Sequence, residues 1–129
     1  MITEDYVSFE TTKLLKEKGF DCECSCYYFF NDKEQFEESL SHWNWNNGYT
    51  FRYSAPTLQM AMKWLREEKK LNCIIDVSFN QNRNGETEYF FSVWENKPPY
   101  ELLIESPQTF SIYEEAAEAA IKYCLENLI

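Results

Sequence analysis

The chain has 129 residues, of which 44% are hydrophobic and 18% aromatic, enough for one domain with a core and too few for two. Its 22 acidic residues outnumber 12 basic ones for a net charge of −10, so the counterion release that drives non-specific nucleic-acid binding works against it. Three glycines and four prolines among many aromatics exclude collagen-like, low-complexity and disordered classes.

The first predicted element is a helix over residues 8–18, N-capped by Ser8 and ended by Gly19 as the left-handed residue after the cap. Phe20 would then pack back on Leu15, the hydrophobic closure of a Schellman motif. Residues 22–30 read as a strand. Their alternation puts Cys22, Cys24, Cys26, Tyr28 and Phe30 on one face, and Glu23, Ser25, Tyr27 and Phe29 on the other. Over residues 32–40, Asp32 as a cap with Phe36 and Leu40 at i, i+4 predicts two helical turns. Residues 41–48 end in turn chemistry, and residues 49–53 read as a short strand.

A second helix is predicted over residues 55–70, opened by Ser54 and by Pro56 in its first turn. Leu58, Ala61, Met62 and Leu65 make a narrow apolar stripe flanked by Trp64, and Arg66, Lys69 and Lys70 suit the negative end of the helix dipole. Three strands follow. Cys73, Ile75, Val77 and Phe79 alternate with Ile74, Asp76 and Ser78, a polar loop over residues 80–86 with Asn84-Gly85 turns the chain, and Tyr89, Phe91 and Val93 share a face of the return arm. After Pro98-Pro99, Tyr100, Leu102 and Ile104 alternate with Glu101, Leu103 and Glu105, which completes an antiparallel meander. The last helix is expected to open on Ser111 with Glu114 closing a capping box. Its buried face is Tyr113, Ala117, Ala120, Ile121, Cys124 and Leu128. The fold class expected from this order is a single α+β domain, residues 1–129, with an antiparallel sheet of three to five strands packed against two to three helices.

The opening Met1-Ile2-Thr3-Glu4-Asp5 lacks the features of a signal peptide, and no stretch approaches the roughly 18 apolar residues of a membrane span, so the expectation is a cytoplasmic protein without membrane contact. Five cysteines are an odd set for a disulfide framework and read as free thiols.

Three segments carry a resemblance: Tyr53-Ser54-Ala55-Pro56-Thr57-Leu58-Gln59-Met60-Ala61-Met62-Lys63-Trp64-Leu65-Arg66-Glu67, the closing stretch from Tyr113-Glu114-Glu115-Ala116 to Leu125-Glu126, and the opening Val7-Ser8-Phe9-Glu10 to Gly19-Phe20. About a third of the chain thus resembles a family of short uncharacterised proteins of gut Bacteroidetes, often found in prophage-like or mobile neighbourhoods. The layout is similar to small phage helix–sheet–helix sandwich domains. The shared residues are capping and packing residues, so the resemblance implies fold and context and no catalytic residue. Residues 22–48 do not match that family.

Four constellations could carry chemistry. Cys22, Cys24 and Cys26 invite a metal reading, but alternate residues of a strand lie roughly 6.6 Å apart while zinc takes sulfurs at about 2.3 Å. Thiols facing a core explain the pattern more simply. His42 is the one histidine, and a thiol-dependent or metal protein would have to combine it with Cys22, Cys24 and Cys26. Trp43, Trp45 and Tyr49, interleaved with asparagines, could form a stacking platform for a sugar, a base or a peptide, or could cover the end of a small core. Finally, residues 1–40 carry 10 acids and 4 bases, 41–94 carry 5 and 6, and 95–129 carry 7 and 2, so both ends are acidic. Such a surface could dock a basic partner or imitate nucleic acid, although solvated helix faces also account for it.

No nucleotide-binding, metalloprotease, hydrolase, calcium-loop or kinase motif occurs. The expected role is a non-enzymatic accessory or protein-interaction module of phage or mobile-element origin. It would use no cofactor and bind a protein partner or itself through aromatic surface at Trp43, Trp45, Tyr49 and Trp94. The alternatives are an acidic nucleic-acid-mimicking inhibitor of a DNA-binding protein and a small metal- or thiol-dependent protein.

Overall fold

The computed structural model describes residues 2–78 and 85–129, in two compact units, Met1–Ala61 and Met62–Ile129. The first holds α1 (Phe9–Glu17), β1 (Cys24–Phe30), β2 (Glu34–Trp43) and β3 (Arg52–Ser54), and the second holds β4 (Leu71–Ser78), β5 (Glu88–Glu95), β6 (Leu102–Glu105) and α3 (Tyr113–Tyr123). The boundary falls within α2 (Leu58–Glu68). Each unit carries a three-stranded antiparallel sheet, in the orders β2-β1-β3 and β4-β5-β6, so the molecule is of the α+β class.

In the first unit, helix α1 is closed at both ends by its own sequence. The Ser8 hydroxyl accepts from the Thr11 N–H at 3.3 Å. At the other end Gly19 sits at φ +92°, its N–H donating to the Lys16 carbonyl and that of Phe20 to the Leu15 carbonyl at 3.2 and 2.9 Å. These are the two bonds of a Schellman motif, and its apolar members Leu15 and Phe20 are both buried.

The helix predicted over residues 32–40 is instead most of strand β2, and the reason lies in its first residues. Asp32 is in the left-handed region at φ +72°, a conformation that short polar side chains tolerate, so it turns the chain rather than capping a helix. Residues 31–33 close a hairpin in which Phe30 pairs with Glu34 and Tyr28 with Phe36. The Tyr28 and Phe36 rings lie 5.1 Å apart, a cross-strand aromatic pair that rewards the extended form. Phe36 also meets Tyr6 at 5.4 Å, and Phe9 of α1 meets Tyr28, Phe30 and Tyr53 at 5.5, 5.7 and 5.5 Å.

Helix α2 starts at Leu58, three residues later than Ser54 and Pro56 suggest. Ala55 extends the sheet by donating to the Cys26 carbonyl at 3.0 Å, and Tyr6 and Thr57 form an antiparallel bridge that keeps residues 55–57 extended. The cap is therefore Thr57, whose hydroxyl accepts from the Met60 N–H at 3.1 Å, and the Ser54 hydroxyl serves the Trp45 N–H instead. The predicted stripe is buried as expected, from Leu58 and Ala61 through Met62, Trp64 and Leu65.

The second unit is the predicted meander, begun two residues early at Leu71. Cys73 faces Val93, Ile75 faces Phe91, Val77 faces Tyr89, and Val93 faces Ile104, so the alternating apolar residues share one side. Phe79, predicted to end the first strand of the meander, and residues 80–84 of the predicted turn lie outside the described residues. Helix α3 lies against β5 and β4, and Ala116, Ala117 and Ala120, with no exposed surface, permit that close approach. The capping box of Ser111 and Glu114 does not form. Phe110 exchanges two 2.7 Å backbone bonds with Tyr89, which holds the chain extended as far as Ile112, the actual N-cap, at φ −127° and ψ 134° with no side-chain bond. The predicted helical face also ends differently: residues Cys124–Leu128 form a wider π-helical turn in which Cys124 and Leu125 are both fully buried.

Candidate functional site

The sheet of the first unit is built on β1. Cys24 and Cys26 are buried on its inner face, while β3 contributes only three residues to one edge. The other edge is β2, ten residues long, and all of it but the half-buried Ser39 is exposed. Its pairing to β1 is regular from Glu34 to Glu38 and then slips, because Cys26 faces Glu38 but Cys24 faces Trp43. That offset places three extra residues in β2, a wide bulge stiffened by the Ser41 N–H donating to the Ser39 hydroxyl at 3.1 Å. Leu40 stands out from the bulge with its side chain fully in solvent, and Phe36 and Trp43 are 44% and 50% exposed.

A long exposed edge with apolar side chains is a template for a further strand, and proteins ordinarily shorten, cover or charge such edges. This one carries Glu34, Glu37 and Glu38 and no lysine or arginine. By register, Glu34, Phe36 and Glu38 share a face with Phe30, Tyr28 and Cys26, and Gln35 and Glu37 lie on the face of Phe29 and Tyr27.

The aromatic residues singled out in the sequence separate into two groups. Trp43 and Tyr49 are exposed, whereas Trp45 is only 8% exposed and is interior rather than surface. The Trp45 indole donates to the Cys24 carbonyl at 2.7 Å and its ring lies 4.4 Å from that of Tyr27. The neighbouring asparagine is a structural pin: Asn46 donates to the Phe20 carbonyl at 2.9 Å and accepts from the Ser54 N–H at 2.9 Å. The Arg52 guanidinium lies over Tyr49, Tyr27 and Trp45 at 4.5, 5.1 and 5.7 Å, which covers the aromatic platform instead of leaving it open. Beneath it, Lys16 donates to the carbonyls of Tyr49 and Arg52 at 2.6 and 2.9 Å, and burial lowers its pKa. Trp94, in the second unit, is 36% exposed with its indole donating to the Ser92 hydroxyl at 3.1 Å.

Of the proposed thiol and histidine set, the structure brings two members together. His42, on β2 rather than in a loop, and Cys24 both line a cavity of about 190 Å³ with Tyr6, Ser25, Pro56 and Met60. Cys22 and Cys26 are not in its wall. Among the described residues no three His, Cys, Asp or Glu side chains converge on one point that could hold a metal ion. Burial pushes the Cys24 thiol up to about 12, so it is protonated at neutral pH and a poor nucleophile. Tyr6 is raised too, first by its hydrogen bond with Cys26 and then by burial. The wall also includes Glu23, and the raised Cys24 thiol in it is not an activated nucleophile.

Sequence reasoning missed a second thiol contact. The sulfurs of Cys73 in β4 and Cys124 in the π-helical turn lie 3.6 Å apart, unlinked, and that hydrogen bond together with burial raises the Cys124 pKa. A separation of 51 residues gave no signal, since both cysteines read as ordinary core positions.

No family model, curated protein or solved structure matches the chain. Among the described residues, no helix is long and apolar enough to cross a membrane.

Proposed function

We propose that the protein is a non-enzymatic interaction module that engages an extended segment of another protein along the open edge of β2. The observation that carries the reading is that edge itself, ten residues exposed almost throughout, with Phe36, Leu40 and Trp43 presented to solvent. An added strand gains main-chain hydrogen bonds along the edge and takes specificity from alternate side-chain contacts. On this reading Trp43 belongs to the partner surface, while Trp45 is interior and Tyr49 is covered by the Arg52 guanidinium. Trp94 lies in the other unit, and the reading does not use it. The neutral Cys24 thiol and the lack of a converging ligand set among the described residues favour binding over a thiol or metal chemistry. A mobile-element origin rests on the sequence resemblance alone.

Selection of a random extended-peptide library on the purified protein tests this. Enriched peptides are expected to shift the backbone amide resonances of Gln35 to Trp43 and to lose binding to Leu40→Asp. Binders that map to the cavity around His42 and Cys24, or that bind Leu40→Asp equally, would sink the reading.

A further inference from the structure

We infer that the segment added to β2 is basic, with an apolar residue flanked two positions away on each side by lysine or arginine. This inference rests on the strand-addition reading and specifies its partner. On one face of β2 the order along the strand is Glu34, Phe36, Glu38, set by their pairing with Phe30, Tyr28 and Cys26. All three side chains are exposed. A strand laid on the free edge puts one residue opposite each of them. The residue opposite Phe36 meets a ring already backed by Tyr6 and Tyr28, an apolar contact with its inner side fixed. The residues two positions to either side meet carboxylates. The pattern is symmetric about Phe36, so it recognises the same basic, apolar, basic spacing whether the incoming strand runs parallel or antiparallel.

The opposite face adds to the same sign. Glu37 lies there, beside Tyr27, so the stretch from Glu34 to Glu38 offers three carboxylates and no cation. An acidic strand would set like charges directly opposite one another, which is destabilising, and a neutral strand would leave the carboxylates without return for their partial desolvation. A second copy of this chain is the other candidate occupant. It is disfavoured by charge, because β2 set against β2 about Phe36 places Glu34 opposite Glu38 twice over, and in any register two chains of net charge −10 repel. That net charge also draws a basic segment from a distance, an attraction that weakens as salt shortens the Debye length to about 10 Å at 0.1 M.

The test uses three ten-residue peptides of threonines around a core, Lys-Thr-Val-Thr-Lys, Gln-Thr-Val-Thr-Gln or Glu-Thr-Val-Thr-Glu, titrated against the intact protein by fluorescence anisotropy at two salt concentrations. The lysine peptide is expected to bind about fivefold tighter than the glutamine peptide at low salt, with the gap shrinking at high salt and the glutamate peptide not binding. Exchanging both flanking acids, Glu34→Lys with Glu38→Lys, should invert the preference, and this variant's unchanged amide spectrum away from β2 guards against misfolding. Equal binding of lysine and glutamine peptides, with shifts confined to β2, would overturn the charge rule while leaving strand addition intact. Absence of any β2 shift with all three would overturn both. A concentration-dependent dimer whose contact maps to β2 would give the edge to a second copy and refute the basic partner.

Discussion

The two sheets are matched in size and class but differ in how they treat their edges. In the β4-β5-β6 sheet, α3 lies against β4 and β5, β6 is cut to four residues, and β4 buries Leu71 and half-buries Cys73 and Ile75. In the β2-β1-β3 sheet one edge is likewise cut short, to the three residues of β3, while β2 runs ten residues with almost no cover. Both central strands follow the rule that burial fixes register: β1 through Cys24 and Cys26, β5 through Phe91, Ser92 and Val93. The difference teaches that β2 is not needed to complete a core. Its length and its exposed Phe36, Leu40 and Trp43 are what the proposed strand addition would use, with Glu34, Glu37 and Glu38 setting the charge of that edge.

The comparison breaks hardest at Trp45, the ring that closes the outer face of β1. Trp45→Ala removes a nearly buried indole and leaves the Cys24 carbonyl without its 2.7 Å donor, so a loss of about 3–5 kcal/mol is expected from urea unfolding. Trp43→Ala, two residues away on the exposed edge, should cost less than about 0.5 kcal/mol. Similar losses for the two would mean that β2 is part of the core after all.

Next in size is a dependence on alkali. A thiol whose folded pKa is raised to about 12 contributes stability that is present below the unfolded value near 8.5 and is lost as pH climbs toward 12. The Cys124 thiol moves in the same direction. Stability should therefore fall above about pH 9, by at most about 1.4 kcal/mol per pH unit for each group, and Cys24→Ala should flatten the slope. A urea midpoint that does not change between pH 8 and 10 would contradict the burial of Cys24. A smaller loss is expected at the end of α1. Gly19 sits at φ +92° with open space where a Cβ would go, so Gly19→Ala has a conformational cost alone, about 1–2 kcal/mol by thermal unfolding.

Much of this was legible where local chemistry and burial agree. Ser8, Gly19 and Phe20 announced both ends of α1, and the alternation around Phe91 announced the meander, because each signal is carried by a few adjacent residues. Errors fell where a distant segment decided the local conformation. The bridge of Tyr6 to Thr57 held back α2, and that of Tyr89 to Phe110 displaced the cap of α3. Strand β2 was misread because this edge strand is exposed on both faces, so it shows no period of two, and its Phe36 and Leu40 spacing imitates a helix. The candidate surface was visible only as Trp43. The signal that could have exposed the rest is Asn31-Asp32 after a dense aromatic strand, which is hairpin chemistry.

The smallest expected effect is the most telling about β2. Leu40 has its whole side chain in water at the crest of the bulge, so it has no packing to lose, and Leu40→Asp should leave stability within about 0.5 kcal/mol. An exposed leucine on an edge strand that contributes nothing to folding yet abolishes peptide binding when changed separates the two roles cleanly. The measurement is urea unfolding of both forms at two protein concentrations a hundredfold apart. A loss above about 1 kcal/mol that appears only at the higher concentration would show Leu40 buried against another copy, since association stabilises by mass action. A loss of that size at both concentrations would place Leu40 under cover from its own chain, and the open edge on which strand addition depends would be gone.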